Sequence, residues 1–138
     1  MRFIVFVKAS RESESGAMPD KKDLMDMQKF NQKLADAGLM LAGEGLHPSS
    51  EGARIAFSSG TPRVTDGPFA ETTELVAGYW LLEAKSKEEV IDWMKKAPFQ
   101  DGVLEIRQIF EGEEFAYAPE VMEQEKKLRA QIAQQHRS

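Results

Sequence analysis

The sequence predicts one α+β domain in which two helices and four core strands follow the order β-α-β-β-α-β. Short apolar runs rich in aromatic and β-branched residues predict the strands, and two stretches with an apolar residue at every third or fourth position predict the helices. The chain has 138 residues, of which 41% are hydrophobic and 30% charged, and this is the size and composition of a single packed domain.

The first predicted strand is the continuously apolar run at residues 3–7, which suits a strand covered on both faces. Residues 11–22 are polar and include Gly16 and Pro19, so we expect a loop there.

The first predicted helix begins near Lys21, with Asp20 as its cap, and ends at Gly38, a residue that readily adopts the left-handed conformation of a helix terminus. Its apolar stripe consists of residues spaced three and four apart: Leu24, Met27, Phe30, Leu34 and Ala37.

The middle of the chain predicts a strand, a turn and a hairpin. The strand LMLAGEGL is interrupted by two glycines, as happens where a ligand or another backbone approaches closely. HPSSEG predicts a turn, and ARIAFS and RVT predict the arms of a hairpin around SGTP.

Residues 75–84 predict a further strand, which is followed by the second helix. Ser86 and Glu89 have the spacing of a capping box, and Pro98 prevents continuation of the helix. The apolar face of this helix comprises Val90, Ile91, Met94 and Ala97.

The last core strand, VLEIRQIF, points Leu104 and Ile106 to one side and Glu105 and Arg107 to the other. Together the elements form a decorated β-α-β-β-α-β unit, the ferredoxin-like arrangement. Because two helices cover only one face of its sheet, the other face needs a second sheet. This predicts a homodimer in which sheet packs against sheet.

A charged helical tail begins at Pro119. Val121, Leu128 and Ile132 form only a thin apolar stripe, and such a helix is weak alone. Two interpretations stay open: the helix packs on a partner, or it frays.

The bulk properties exclude several classes of protein. A formal net charge of -5 argues against general affinity for nucleic acid or for an anionic membrane. The chain has no cysteine, which excludes disulfides, thiolate metal sites and cysteine nucleophiles. No run approaches the roughly 20 apolar residues that span a bilayer, and MRFIVFVKAS lacks a signal-peptide cleavage site, so we expect a soluble cytoplasmic protein.

The stretch DGPFAETTE is the best lead to a functional site. Asp66 precedes the turn dipeptide at 67–68, and it either shapes that turn or holds a carboxylate at the mouth of a cleft. Phe69 is more typical of a core anchor than of a substrate platform. Glu71 and Glu74 suit acid–base chemistry or a hard cation, although solvated loop charges are the more ordinary interpretation.

Two further candidates precede that turn in sequence. If the end of the second strand adjoins the DGPF turn, Asp66 would orient the imidazole of His47 for proton transfer; the alternative is an exposed turn histidine. Glu44 stands between two glycines, where a ligand reaches a carboxylate easily, and its alternative is a solvent-facing strand residue.

Arginines and aromatic residues complete the candidate set. Arg54 and Arg107 are expected on strand faces opposite the helices, where each either forms an ion pair or holds an anionic ligand. For Arg107 the pairing partner would be Glu105. Tyr79 and Trp80 alternate, so one packs under a helix and the other faces the second sheet, where it would line a pocket.

The segments GEGLHP, VTDGPFAETTE and AGYWLLEA together resemble the DGPF family of YCII-related proteins. The similarity covers residues 1–112, and residues 113–138 form a helical extension outside it. The family consensus has lysine where this chain has Thr73. The resemblance implies the dimeric α+β barrel and a function that is largely unassigned.

Related YCII-like proteins are suspected enzymes because a histidine–aspartate pair lies in their cleft, with the histidine on the first helix. This chain has Met27, Gln28 and Phe30 in that region. Only Asp66 and Glu44 therefore transfer as cleft residues. Some relatives accompany specialised sigma factors, which supports a regulatory role.

Two hypotheses follow. The first is a small-molecule-binding dimer with acid–base chemistry and without metal or other cofactor. Its catalytic candidates are Asp66, His47 and Glu44, and its ligand-binding candidates are Arg54, Arg107, Phe69 and Trp80. The second is a non-enzymatic regulatory module whose C-terminal helix recruits a protein partner.

Overall fold

The computed structural model describes residues 1–71 and 74–137, and it has a mixed α+β fold with an antiparallel sheet and helices. Thr72 and Thr73, within the predicted site motif, and Ser138 lie outside the described residues. The strands are β1 (Arg2–Lys8), β2 (Met40–Gly45), β3 (Ala53–Ser58), β4 (Thr61–Asp66), β5 (Val76–Glu83) and β6 (Leu104–Gln108). The helices are α1 (Arg11–Glu14), α2 (Lys21–Asp36), α3 (Lys87–Met94) and α4 (Pro119–Gln135).

The main sheet has four strands in the order β2-β5-β1-β6, and every neighbouring pair is antiparallel. Phe3 lies opposite Leu82, and Val5 lies opposite Trp80, so these four side chains share one face. Helices α2 and α3 cover that face, and the core is completed by Phe30, Leu34, Val90 and Met94.

The second face of the sheet is only partly covered within one chain. Ile4 lies beside Leu81, and Phe6 lies beside Tyr79; all four are half-buried. The first strand was predicted to be covered on both faces, whereas a single chain covers fully only the face under the helices. We call the face of the sheet that these four side chains share the open face.

The start of α2 confirms the predicted cap. The side chain of Asp20 accepts a hydrogen bond of 2.8 Å from the backbone N–H of Asp23, and the helix begins at Lys21. Its end is also confirmed, because Gly38 follows the last turn with φ of 80°.

The predicted capping box of α3 is half right. Ser86 accepts a hydrogen bond from the N–H of Glu89 at 3.1 Å, as expected. The Glu89 carboxylate, however, accepts from the N–H of Lys85 rather than from that of Ser86, at 3.0 Å. The backbone N–H that binds the Glu89 side chain is therefore that of the residue before the cap, and not that of the cap residue itself.

The predicted loop at 11–22 contains a helical turn, α1. Ser10 and Ser13 cap each other: Ser10 Oγ accepts from the N–H of Ser13 at 3.1 Å, and Ser13 Oγ accepts from the N–H of Ser10 at 2.8 Å. This reciprocal serine pair stabilises a turn that has no apolar periodicity. The predicted turn at 47–52 likewise contains a short 3-10 helix, Ser49–Glu51.

Strands β3 and β4 form a two-stranded sheet of their own. They are joined at Ser59 and Gly60, with φ of 51° and 82°, and left-handed residues of this kind suit a tight hairpin. Within the part of the chain that the structure describes, these strands pair with each other and not with the main sheet, so Arg54 lies on this separate ribbon and not on the face of the main sheet where it was expected.

The tail helix α4 begins at Pro119, as predicted, and has no buried residue. Its contacts concentrate on the short 3-10 helix Gly112–Phe115. Across the described chain, none of the helices has both the length and the apolar character that crossing a membrane requires.

Candidate functional site

A cavity of about 230 Å³ lies between α2 and the paired strands β2 and β5. Helix α2 contributes Met27 and Asn31, and the strands contribute residues 43–45 and 77–80. Phe99 closes one side. The predicted AGEGL strand therefore forms one wall, and we call this space the Trp80 cavity.

Two glycines allow the walls to approach each other. A Cβ atom on Gly78 would lie 2.9 Å from the carbonyl oxygen of Glu44, on the backbone of the neighbouring strand. A Cβ atom on Gly43 would lie 2.7 Å from Met40 Cε and 3.0 Å from Trp80 Cδ1. The glycines of LMLAGEGL predicted the approach of another backbone or a ligand, but Gly43 meets side chains and nothing lies within 4 Å of a Cβ on Gly45; the close backbone approach is at Gly78 on the neighbouring strand.

Trp80 is packed and oriented by three neighbours. Its side chain is 4% exposed and makes edge-on contacts with the rings of Phe30 and Phe99, at centroid distances of 5.8 and 6.3 Å. Its indole N–H donates to Asn31 Oδ1 at 2.8 Å. Of the alternating pair, Trp80 thus packs under the helices and Tyr79 lies on the open face.

Asn31 is a site residue that the sequence analysis missed. It lies four residues after Met27, so it interrupts the apolar stripe of α2, and a polar residue on such a stripe was the available signal. Its oxygen is engaged by Trp80. Among the described residues its amide nitrogen has no hydrogen-bond acceptor, so its N–H groups are free to meet an acceptor in the cavity.

Glu44 borders the Trp80 cavity, as the two flanking glycines suggested. Its side chain is exposed. Because Glu44 lies opposite Tyr79 in the strand pair, its carboxylate shares the open face with Tyr79, and its backbone, not its carboxylate, is on the side of the cavity.

The DGPF turn is clamped to the 3-10 helix at Ser49–Glu51. Asp66 ends β4, where it lies exposed opposite Ala53, and the Gly67–Pro68 peptide bond is cis. The N–H of Gly67 donates to the carbonyl of Gly52 at 3.0 Å. A Cβ atom on Gly67 would collide with the carbonyl oxygen of Ser49, so only glycine fits against that backbone.

Ser49 links three segments that are distant in sequence. Its hydroxyl accepts from the N–H of Phe69 at 3.1 Å and donates to a carboxylate oxygen of Glu14. Its own N–H donates to the other oxygen of Glu14 at 2.9 Å. The hydrogen bonds from the side chain and backbone of Ser49 lower the pKa of Glu14. Neither residue could be found from sequence, because no local pattern joins positions so far apart.

His47 pairs with a residue other than the predicted one. Its ring Nδ1 lies 2.9 Å from Glu51 Oε2, and the two side chains are 84% and 61% exposed. The intervening 3-10 helix places Glu51 one turn beyond His47 and so provides a local partner. The hydrogen bonds of the described residues include none between His47 and Asp66.

Two predicted ligand-binding residues are brought together. The guanidinium carbon of Arg54 lies 3.9 Å from the centroid of the Phe69 ring, and its NH1 lies 3.5 Å from Glu71 Oε2. The cluster is held by a cation–π contact and a long, exposed ion pair. None of its three members lines the Trp80 cavity.

Of its two predicted roles, Arg107 forms the ion pair with Glu105. Its NH1 lies 3.4 Å from Glu105 Oε2, while Lys8 Nζ lies 3.4 Å from the other oxygen of Glu105. The hydrogen bonds from Lys8 and then from Arg107 lower the pKa of Glu105. Arg107 is exposed at the β6 edge and does not line the cavity.

A hard-cation site was one interpretation of Glu71 and Glu74. Within residues 1–71 and 74–137, no group of three or more histidine, aspartate or glutamate side chains is placed to hold a metal ion. Glu71 instead faces Arg54.

Comparison with known proteins places this geometry in context. An uncharacterized protein of Rhizobium meliloti (strain 1021) is 32% identical over 76 residues, which are 55% of this chain and 61% of that protein. The chain thus spans less than two thirds of that relative's length. Among solved structures, 5-chloro-2-hydroxyhydroquinone dehydrochlorinase from Burkholderia phenoliruptrix AC1100, in complex with 2,5-dihydroxybenzoquinone, is 13% identical with a TM-score of 0.48, over 83% of this chain and 98% of that one.

The family comparison covers most of the chain. The sequence model of the YCII-related domain matches residues 1–113. On that match, this protein belongs to the YCII-related domain family.

Proposed function

We propose that this protein binds a small molecule in the Trp80 cavity and acts on it by acid–base chemistry without a metal or cofactor. The observation that carries the proposal is the cavity itself, of about 230 Å³, which holds the hydrogen-bonded Trp80–Asn31 pair and has the strand of Glu44 as one wall. Ligand pockets commonly measure about 300–1,000 Å³, so this space suits a compact ligand with one ring.

The lining supports a chemical class for that ligand. Trp80, Met27 and Phe99 supply apolar and aromatic walls, which favour a flat, largely apolar body. The free N–H groups of Asn31 favour a carbonyl or phenolate oxygen as acceptor. Because β2 is an edge strand of the sheet, a ligand that extends past this edge would reach the exposed carboxylate of Glu44, which is the first catalytic candidate.

The other two catalytic candidates, His47 and Asp66, are connected to the cavity through the DGPF turn. His47 lies two residues beyond Gly45, which lines the cavity, and the clamp of Ser49 and Gly67 connects this segment to Asp66. Asp66 and His47 would act at the rim of the site. Arg54, Phe69 and Arg107 lie outside the lining of this cavity, and their binding of an anionic group stays a prediction that is separate from the cavity.

We include a homodimer, the ferredoxin-like unit and the DGPF subgroup in the proposal. The sheet order β2-β5-β1-β6 with two helices on one face is the order that a ferredoxin-like β-α-β-β-α-β unit produces. The half-buried open face, with Ile4, Phe6, Tyr79 and Leu81, supports a partner sheet in the manner of a dimeric α+β barrel. The domain would comprise residues 1–112, and residues 113–138 would extend it.

The experiment is a thermal-shift screen against phenols, small carboxylates, amines and divalent cations. A ligand that binds the folded state raises the melting temperature in proportion to the logarithm of its concentration over Kd. A hit should weaken in Glu44→Gln and persist in Glu51→Gln, because Glu51 is exposed and outside the cavity lining. Asp66→Asn, tested beside them, decides whether the turn carboxylate takes part.

Either of two results would remove the proposal. One is that no compound raises the melting temperature of a protein that is folded. The other is a hit that Glu44→Gln and Glu51→Gln weaken equally. Sedimentation velocity tests the dimer separately, since Phe6→Glu on the open face should produce monomers if sheet packs on sheet.

A second function, a regulatory or protein-interaction module, is favoured by the β3–β4 hairpin. Its residues are all exposed, and Ile55, Phe57 and Val64 share one face with exposures of 59%, 74% and 64%. Contiguous apolar surface of this kind typically marks an interaction site. This function would be supported over the first if no compound raises the melting temperature in the screen and if Phe57→Asp abolishes the binding of a protein partner.

A further inference from the structure

A second cavity, of about 580 Å³, lies between α4 and the start of β1. It shares no lining residue with the Trp80 cavity. Its walls come from residues 110–112, Phe115 and the first three turns of α4, and Arg2 lies at its edge. We call it the tail cavity.

The walls of the tail cavity are apolar and uncovered. The rings of Phe110 and Phe115 are in contact, with centroids 5.5 Å apart and planes tilted by 51°, and Val121 and Met122 line the cavity from α4. Phe110 is 70% exposed although it lines a concave space large enough for a ligand of about ten heavy atoms or more. Apolar surface in this arrangement favours an apolar body in the cavity.

The rim of the cavity is cationic once its ion pairs are taken into account. Arg2 pairs with Glu111 at 3.0 Å, and Arg129 pairs with Glu125 at 2.7 Å. Lys126 also lines the cavity, and no ion pair of Lys126 occurs among the described residues. The lining thus has three cationic side chains and two carboxylates. Each carboxylate is paired with an arginine, which leaves the positive charge of Lys126 for an anion.

We propose that the tail cavity binds a small organic anion with an apolar body, of the class of medium-chain or aromatic carboxylates. The apolar walls contact the hydrocarbon and Lys126 binds the carboxylate, while Arg2 and Glu111 remain paired with each other at the edge. The whole of α4 lies beyond the residues 1–113 that match the family, so this chain's tail supplies one wall of the site, which does not rest on the function proposed for the Trp80 cavity.

The experiment is isothermal titration of the full chain with octanoate, with 1-octanol as the uncharged control. Octanoate should bind one site per chain, and octanol should bind at least about tenfold more weakly, because it lacks the charge that Lys126 recognises. Lys126→Glu should weaken octanoate about tenfold, since it replaces an attraction with a repulsion near the surface. Lys127→Glu changes the net charge equally at a residue outside the lining and should alter the affinity less than about twofold.

Three outcomes would overturn the proposal. The first is no octanoate binding at millimolar concentration. The second is equal weakening by Lys126→Glu and Lys127→Glu, which would indicate attraction by net charge alone. The third is a dimer that Val121→Glu dissociates, in a protein that takes up no octanoate, which would show that a second copy covers the cavity.

Discussion

Gly78→Ala is a direct test of the packing that forms the Trp80 cavity. The added methyl carbon would lie 2.9 Å from the carbonyl oxygen of Glu44 and 3.5 Å from the Cα of Gly45. Both atoms belong to the backbone of β2, which cannot rotate away as a flexible side chain would. Strand β2 must therefore move away from β5 by a few tenths of an ångström or more.

The expected cost is that of overpacking a well-packed site, about 1–3 kcal/mol of the free energy of unfolding. In a domain of this size each kcal/mol lowers the melting temperature by about 4 °C, so the variant should melt about 4–12 °C below the native protein. Differential scanning calorimetry measures both quantities. The same shift of β2 should weaken any ligand of the Trp80 cavity.

Gly45→Ala is the matched control. Gly45 lies directly opposite Gly78 in the strand pair and lines the same cavity, yet no atom lies within 4 Å of its added Cβ. This variant should be neutral or gain about 0.4–1 kcal/mol, since alanine restricts the unfolded chain. Equal melting temperatures for the two variants, or a larger loss in Gly45→Ala, would refute the reasoning.

Three further predictions concern the segments around the two cavities. Arg2 holds the pKa of Glu111 below its usual value, so this pair stabilises the fold above the ordinary carboxyl pKa, and the contribution is lost as the pH falls through the lowered value. Urea unfolding should show Glu111→Gln less stable than native at about pH 7 and equal to it at about pH 2, and an identical difference at both pH values would contradict this. Ser49→Ala should cost about 1–3 kcal/mol because it leaves a backbone N–H without its acceptor, whereas the exposed Ser50→Ala should cost less than about 0.5 kcal/mol in the same assay. Asp20→Ala should lower the stability by about 1 kcal/mol through loss of the α2 cap, and unchanged helicity and melting temperature would exclude that role.

The local elements were largely predictable because their causes are local. The caps at Asp20 and Ser86 and the terminal Gly38 depend on neighbours within a few residues, and each is found in the structure. The predicted stripe of α2 is packed at Met27, Phe30 and Leu34, whereas Leu24 and Ala37 at its two ends are exposed. The main exception is α1, where two serines stabilise a helical turn without any apolar periodicity. The pairing of the hairpin was also predictable, although its detachment from the main sheet was not.

The candidate site was only partly predictable. Glu44 and Trp80 were selected from their glycine and aromatic context, and both line the cavity. Asn31 was missed, although its place on an apolar stripe was visible. Of the two interpretations of His47, the structure shows the exposed turn histidine, whose partner is Glu51 of a short 3-10 helix and not Asp66.

By itself the sequence determined the type and order of the core elements, because hydrophobic period, caps and turn residues act over a few positions. The tertiary structure alone decided which side chains meet. The contacts of Ser49 with Glu14 and Phe69 join residues 35 and 20 positions apart, and the opening of the Trp80 cavity depends on how closely β2 approaches β5. Such contacts are set by packing between elements, and no periodicity within a single element encodes them.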